Sequence, residues 1–292
     1  SPCCTTEFLE WRKQHMKLPE DLLFSQSNLQ DYVNCHYKFY LRHIQKFSWP
    51  ALLTDDALEV EQHMQSGARF HTLVHQFFLG LPLESLDQIA LSDPNEQLQT
   101  WWHNFKQTVP DQIKGETFPE LSLVSKLNGH RLIVKYDLVI VEKDQLTIYD
   151  WKTTQRLPKP ASLNTRIQSR IYPFVLAREA SAINNGSLQP GQIKMVYWQA
   201  QFPGQTHTIA YNQDMFGADL AYLSHLVDEI VQLPIEGFTK TPHLTFCKYC
   251  NFRSYCDKGI SAGLSSELES DLEELDLITF DIDLDQVEEI AF

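Results

Sequence analysis

The sequence predicts an α/β or α+β domain, with helices covering the faces of one sheet. Three observations carry this. Helical apolar stripes occupy much of the first hundred residues. Three strand signals then follow in close order over 121–152. After them come a helix, two more strands and another helix, with no internal repeat.

Residues Ser27 and Gln30 read as a capping box that opens a helix over about 28–46. Its stripe is Leu29, Tyr32, Val33, Phe39, Tyr40 and Ile44. A second helix covers about 57–79, with Val60, Met64, His71, Val74 and Phe78 in one band. Polar text with Asp93-Pro94 follows, then a helix near 95–108. The strand 121–127 runs into Asn128-Gly129, a strong two-residue hairpin turn. One strand is expected over 131–141 and another over 145–152, joined by a turn at 142–144, which together make an antiparallel meander. A helix over about 161–180, strands near 193–200 and 206–211, and a helix near 214–232 complete the body. In the tail, 267–277 could form an acidic helix and 280–285 alternates as a half-exposed strand would.

At 292 residues the chain can build a core without staples, as one large domain or two modest ones. Its 43% apolar and 21% charged residues exclude a mainly disordered or fibrous chain. No apolar run approaches the roughly 18 residues of a membrane span. The opening SPCCTTEFLEWRKQ has no basic segment leading into an apolar one. No signal peptide is therefore expected, and the location is read as cytoplasmic. No Gly-x-x-x-x-Gly-Lys-Ser/Thr loop is present, so no ATP motor is expected.

The net charge of −14 argues against nucleic acid until its distribution is considered. Residues 264–292 hold eleven acidic residues and no basic ones. Without them, 27 acidic residues face 24 basic ones, a balance of −3. The tail is a separate electrostatic object. It could fill a basic groove in cis, dock on a basic protein partner, or only solubilise the end. Lys152, Arg156, Lys159, Arg166, Arg170 and Arg178 form a basic stripe with no acid among them. Within it, Arg156, Lys159, Arg166 and Arg170 are candidates for DNA phosphates; a solvated helix face is the alternative.

Asp150 and Lys152 share a strand face by the period of two. Asp137, on the preceding strand, could reach that face. Two carboxylates and a lysine at a sheet edge suit phosphodiester hydrolysis, with the carboxylates holding Mg2+ or Mn2+ and the lysine stabilising developing charge. The same residues could instead form a cross-strand ion pair between Asp137 and Lys152. His71, one turn beyond Gly67, is a candidate metal ligand or a core histidine. Gln168 and Tyr172 share a helix face, as site residues or as a packing pair.

Of six cysteines, Cys247, Cys250 and Cys256 form C-x2-C-x5-C, and Cys35 stands far upstream. Without a secretory signal, metal binding is expected rather than disulfides. Four thiolates suit either zinc or a [4Fe–4S] cluster. Cys3 and Cys4 belong to no motif.

GARFH (67–71), YDLVIV (136–141), IYDWKT (148–153) and QSRIY (168–172) occur in the order found in RecB-like nucleases of the PD-(D/E)XK superfamily, which the sequence resembles over about 25–260. The resemblance implies a restriction-endonuclease-like α/β core, a mixed central sheet flanked by helices. It implies His71, Asp137, Asp150 and the Trp151 carbonyl as metal ligands, Lys152 as the catalytic lysine, and Gln168 and Tyr172 as accessory residues. Here Val134-Lys135-Tyr136 precedes Asp137, where the family often has Gly-Arg-x, and Asp150 stands where Glu is common. The text around Cys35 and 246–256 resembles the iron–sulfur subgroup, which includes CRISPR-associated exonucleases and the AddB nuclease domain. It implies Cys35, Cys247, Cys250 and Cys256 as ligands of a [4Fe–4S] staple closing a helical region. The expected organisation is an extension (1–24), a nuclease domain (25–263) and an acidic tail (264–292). The expected activity is exonucleolytic cleavage of single-stranded or frayed DNA in repair, recombination or CRISPR adaptation. The alternatives are a non-catalytic DNA-binding subunit and a zinc-stapled interaction module.

Overall fold

The computed structural model describes residues 18–19, 22–47, 55–143, 145–184, 188–248, 250–256 and 258–260. The helix and strand expected in the tail lie outside them. Eight strands are described: β1 (Leu23–Ser25), β2 (Glu116–Pro119), β3 (Ser122–Leu127), β4 (His130–Lys135), β5 (Leu138–Glu142), β6 (Gln145–Lys152), β7 (Ile193–Gln199) and β8 (His207–Ala210). The helices are α1 (Gln26–Asn34), α2 (His36–Phe39), α3 (Asp55–Phe78), α4 (Leu83–Ser92), α5 (Glu96–Thr108), α6 (Pro160–Thr165), α7 (Ile167–Glu179), α8 (Gln213–Gln232), α9 (Leu244–Lys248) and α10 (Arg253–Cys256).

Ser25, not Ser27, caps α1: its hydroxyl accepts from the Asn28 N–H, and the Asn28 side chain returns the bond to the Ser25 N–H. The helix expected over 28–46 breaks at Cys35, which is extended. A continuous helix would give the Tyr37 N–H to Val33. Here it goes instead to the Thr239 carbonyl at 3.0 Å. The helix expected over 161–180 breaks at Arg166. Ser169 Oγ donates to the Leu163 carbonyl, which a continuous helix would reserve for the Ile167 N–H. The short α4, where the sequence suggests only polar text, buries Leu86 and Ala90.

The strand expected over 131–141 is two strands in two sheets. The first sheet has the order β1-β4-β3, and the second β2-β5-β6-β7-β8. β3 and β4 pair antiparallel across the Asn128-Gly129 turn, and β5 and β6 likewise. β6 and β7 pair parallel, connected through α6 and α7. The larger sheet is therefore mixed. At the switch, the Tyr136 N–H donates to the Leu121 carbonyl and the Glu120 N–H to the Asp137 carbonyl, at 2.8 and 3.0 Å. β2–β3 and β4–β5 thus bend together at one place. Glu120 adopts the left-handed conformation (φ 53°) that this bend requires.

The larger sheet lies between two helical layers. Leu146, Ile148, Ile193, Met195 and Tyr197 face the core built with α1, α7 and α8. Tyr149, Trp151, Val196 and Trp198 face the opposite way, onto an aromatic core with Phe70, Trp101, Trp102 and Phe105 of α3 and α5. Asp150 and Lys152 continue the first of these faces.

Asp31 clamps the broken first helix. Its carboxylate accepts from Lys38 (2.6 Å), Arg42 (2.9 Å) and His43 (2.9 Å) while almost wholly buried. Burial alone would raise its pKa, but Lys38, His43 and Arg42 outweigh burial and hold it well below the usual carboxylate range. Asp31→Asn should cost about 3 kcal/mol, because buried cations lose their counter-charge. A carboxyl lowered in the folded state stabilises fully above its unfolded pKa of about 4 and loses that effect as pH falls toward the folded value. Thermal melts between pH 7 and 2.5 should show wild type and Asp31→Asn converging in acid. A gap unchanged over that range would contradict the assignment.

Candidate metal and phosphodiester site

The shared bend places Asp137 at the junction of the two sheets. Its Oδ2 accepts from the Trp151 N–H at 2.7 Å, and its Oδ1 lies 3.1 Å from His71 Nδ1, which α3 carries in from the other helical layer. Burial would raise the Asp137 carboxyl, but the His71 ring, the Trp151 amide and Lys152 hold it below the usual range. The converse acts on His71. Burial favours its neutral form, yet Asp137, Asp150 and Glu120 raise it above the usual imidazole value. A concentration of negative potential that raises a histidine in this way is also one that suits a divalent cation.

Glu120 completes the group. Among the described residues, ligand atoms of His71, Glu120 and Asp137 lie within 4.8 Å of one another. An imidazole nitrogen and two carboxylates form a donor set suited to Mg2+ or Mn2+. Sequence reasoning missed Glu120. It lies beyond any local motif, and only the Glu120–Asp137 backbone bond brings it to the site. In this structure it also pairs with Lys135 at 2.7 Å.

Asp150 and Lys152 sit beside this group in a second arrangement. Lys152 Nζ lies 2.9 Å from Asp150 Oδ2 and donates to Gln168 Oε1 at 3.0 Å. The Gln168 amide donates to Asp150 Oδ1 at 2.5 Å. One glutamine of α7 therefore holds both groups of the strand end. Tyr197 of β7, also missed in the sequence, lies beneath Lys152, with its ring centroid 5.7 Å from the ammonium. Its hydroxyl is 2.7 Å from Ser169 Oγ. Burial and the Asp150 charge push that phenol upward, so it stays protonated. Tyr172 stands farther back: its carbonyl accepts from Tyr136 OH at 3.0 Å and the two rings meet edge to face.

The four basic candidates take different surroundings. Arg170 pairs with Asp219 at 2.8 Å and stacks on Tyr222. Arg156 and Lys159 are exposed in the loop after β6. Arg166 is 8% exposed, and its Nε has no hydrogen-bond partner among the described residues.

Residues 238–241 lie against 32–40. Phe238 packs on Tyr32, Phe39 and Tyr40, and the Thr241 N–H points at Cys35 Sγ at 3.5 Å. Cys35, Cys247, Cys250 and Cys256 are all free thiols that sense one another electrostatically. Burial pushes Cys250 up to about 11 and raises Cys247 and Cys256, with Lys38 and Lys258 opposing. Such thiols are poor nucleophiles but become thiolates when a metal displaces the proton. Among the described residues, no three of these sulfurs lie within 4.8 Å of one another.

A family model described as the PD-(D/E)XK nuclease superfamily matches residues 23–257. Among solved structures, a candidate exonuclease from Eubacterium rectale superposes with a TM-score of 0.51 at 10% identity, covering 91% of this chain and 98% of its own. That is a likeness of fold. SSO0001 aligns over 88% of this chain and 97% of its own at 13% identity, with a TM-score of 0.36, too low to carry an argument. No curated protein matches the sequence.

Glu120→Gln should weaken Mn2+ binding by about tenfold or more, the scale on which disturbing a metal site acts. Electron paramagnetic resonance titration of free Mn2+ checks this. Unchanged affinity would remove Glu120 from the donor set.

Proposed function

Because the chain belongs to the PD-(D/E)XK nuclease superfamily, we propose that it is a metal-dependent DNA nuclease that works from single-stranded or frayed ends. The observation that carries this reading is the union of two groups at one strand end: Lys152 held between Asp150 and Gln168, and beside it the His71–Glu120–Asp137 donor set. Nuclease activity and use of a divalent metal belong to the superfamily; the DNA end and the roles of single residues are this reading's own.

His71, Glu120 and Asp137 would hold the metal, with Asp150 and the Trp151 carbonyl adjoining. Bound there, Mg2+ or Mn2+ supplies Lewis-acid stabilisation of the phosphoryl oxygens and of the attacking oxygen. Lys152 carries a positive charge to the same phosphate and stabilises the charge that develops on its oxygens. Gln168 and Tyr197 hold that ammonium in place, so little reorganisation is needed at the moment of reaction. Arg166 supports a phosphate contact: its buried Nε has no hydrogen-bond partner among the described residues, and a buried polar group of this kind is costly until an anion meets it. Arg156 and Lys159 extend the same stripe into solvent. Arg170, already paired with Asp219, contributes through the α7–α8 contact. Among the described residues no helix is long and apolar enough to cross a membrane.

Cys35, Cys247, Cys250 and Cys256 are read as the ligands of a [4Fe–4S] cluster. The resemblance of the cysteine segments to the iron–sulfur subgroup supports a cluster over a single zinc ion. Its part is structural, tying α1 to the C-terminal segment across a very long loop. The resemblance of the cysteine segments keeps DNA repair, recombination and CRISPR adaptation as the pathways to test.

Anaerobically purified protein should cleave end-labelled single-stranded DNA when given Mg2+ or Mn2+. Asp150→Ala and Lys152→Ala should each lower the rate by about a thousandfold or more while leaving DNA affinity within a few-fold. Cleavage by both variants at the wild-type rate would sink the site assignment. Wild-type protein that keeps its cluster yet cleaves nothing would point to a non-catalytic DNA-binding subunit.

Cys250→Ser should lose the broad absorbance at the blue end of the visible, together with stability. An equally stable Cys250→Ser protein with undiminished colour would contradict the ligand set.

A further inference from the structure

We propose that the pocket beyond the C-terminal ends of β6 and β7 binds an unpaired nucleobase of the strand being cut, a reading that rests on the nuclease function above. The pocket has a volume of about 420 Å3. Its lining is Glu96, Gln97 and Thr100 from the start of α5, Gln155 from the loop after β6, and Gln201 and Phe202 from the segment after β7. Such crevices outside the carboxyl ends of parallel strands are where open α/β sheets receive ligands.

The backbone ties the pocket to the site. The Ala200 N–H donates to the Lys152 carbonyl at 2.8 Å, so Gln201 begins one residue beyond that bond. Gln155 lies three residues after Lys152, a reach of at most roughly 10 Å. A strand whose phosphate meets Lys152 can therefore reach this lining with a neighbouring nucleotide by passing over the strand ends.

The chemistry of the lining selects the part of the nucleotide. No lysine or arginine lines the pocket, and Glu96 brings a carboxylate, so a phosphate is repelled. Three side-chain amides and a hydroxyl instead offer donors and acceptors, and Phe202 offers an aromatic face. A nucleobase has a hydrogen-bonding edge and a π face to match. Gln201 is set in advance: buried Trp101 donates its indole N–H to Gln201 Oε1 at 3.1 Å, which leaves the amide NH2 as the donor for a ligand. Glu96, when ionised, can only accept. It can accept from the exocyclic amine of adenine, cytosine or guanine, or from the ring N–H of guanine or thymine. A base held here has left the duplex stack, which accounts for a preference for single-stranded or frayed ends.

The test uses the full chain, purified anaerobically, with end-labelled single-stranded oligonucleotides carrying one abasic site moved stepwise along the strand. Cleavage with Mg2+ and binding by fluorescence anisotropy with Ca2+ are both read. Wild type should lose about five-fold to a hundred-fold in cleavage at one bond, at a fixed offset from the abasic site, and a similar factor in binding. Phe202→Ala should weaken binding of intact DNA by a comparable factor and abolish the abasic penalty. Absence of any abasic penalty in both readouts overturns the pocket, as does a full penalty retained in Phe202→Ala. A protein that shows the Phe202-dependent penalty in binding but cleaves no oligonucleotide would keep the pocket and overturn the nuclease reading instead.

Discussion

The paired bend at Glu120 and Asp137 is the constraint on which the candidate site depends. Two adjacent strands turn from one sheet into the other at the same height, locked by two backbone hydrogen bonds. A left-handed glutamate costs about 1–2 kcal/mol, and the bonds at the bend offset it. Straightening either strand would return Asp137 to an ordinary pleated position and separate it from Glu120. Because the bend is shared, the two carboxylates arrive together, on the side where α3 presents His71.

The rest of the site follows from the sheet that begins at this bend. Parallel pairing of β6 and β7 sets Lys152 opposite Gln199 and Asp150 opposite Tyr197. Alternation sends Trp151 and Trp198 into the aromatic core on the opposite face. Those buried indoles hold the strand ends rigid, which is what an aligned ammonium needs. Gln168 can reach both Asp150 and Lys152 because α7 starts anew at Arg166. A single long helix over 161–180 would aim its side chains differently.

A second closure acts far along the chain from the first. Asp31 gathers Lys38, Arg42 and the His43 ring around the break at Cys35, while Phe238 and Thr241 bring the C-terminal segment onto the same spot. Lys38 serves both sides, pairing with Asp31 and lying near Cys250. Packing and charge thus bring Cys35 and the C-terminal segment together.

Local rules made much of the protein legible in the sequence. The hairpin turn at Asn128-Gly129, the period that puts Asp150 with Lys152, the spacing of Gln168 from Tyr172 and the C-x2-C-x5-C run are all properties of near neighbours. So were the approximate positions of the longer helices, whose apolar stripes are wide. Other features needed the tertiary structure. The division of 131–141 between two sheets, the break at Cys35, and the arrival of Glu120 and Tyr197 each depend on a hydrogen bond or strand pairing with distant chain. The Tyr37 amide is claimed by Thr239, and the Tyr136 amide by Leu121. Propensity and periodicity describe which conformations a segment can adopt alone. Which one it keeps is decided by the partner that satisfies its buried backbone groups, and that partner is known only once the chain has folded.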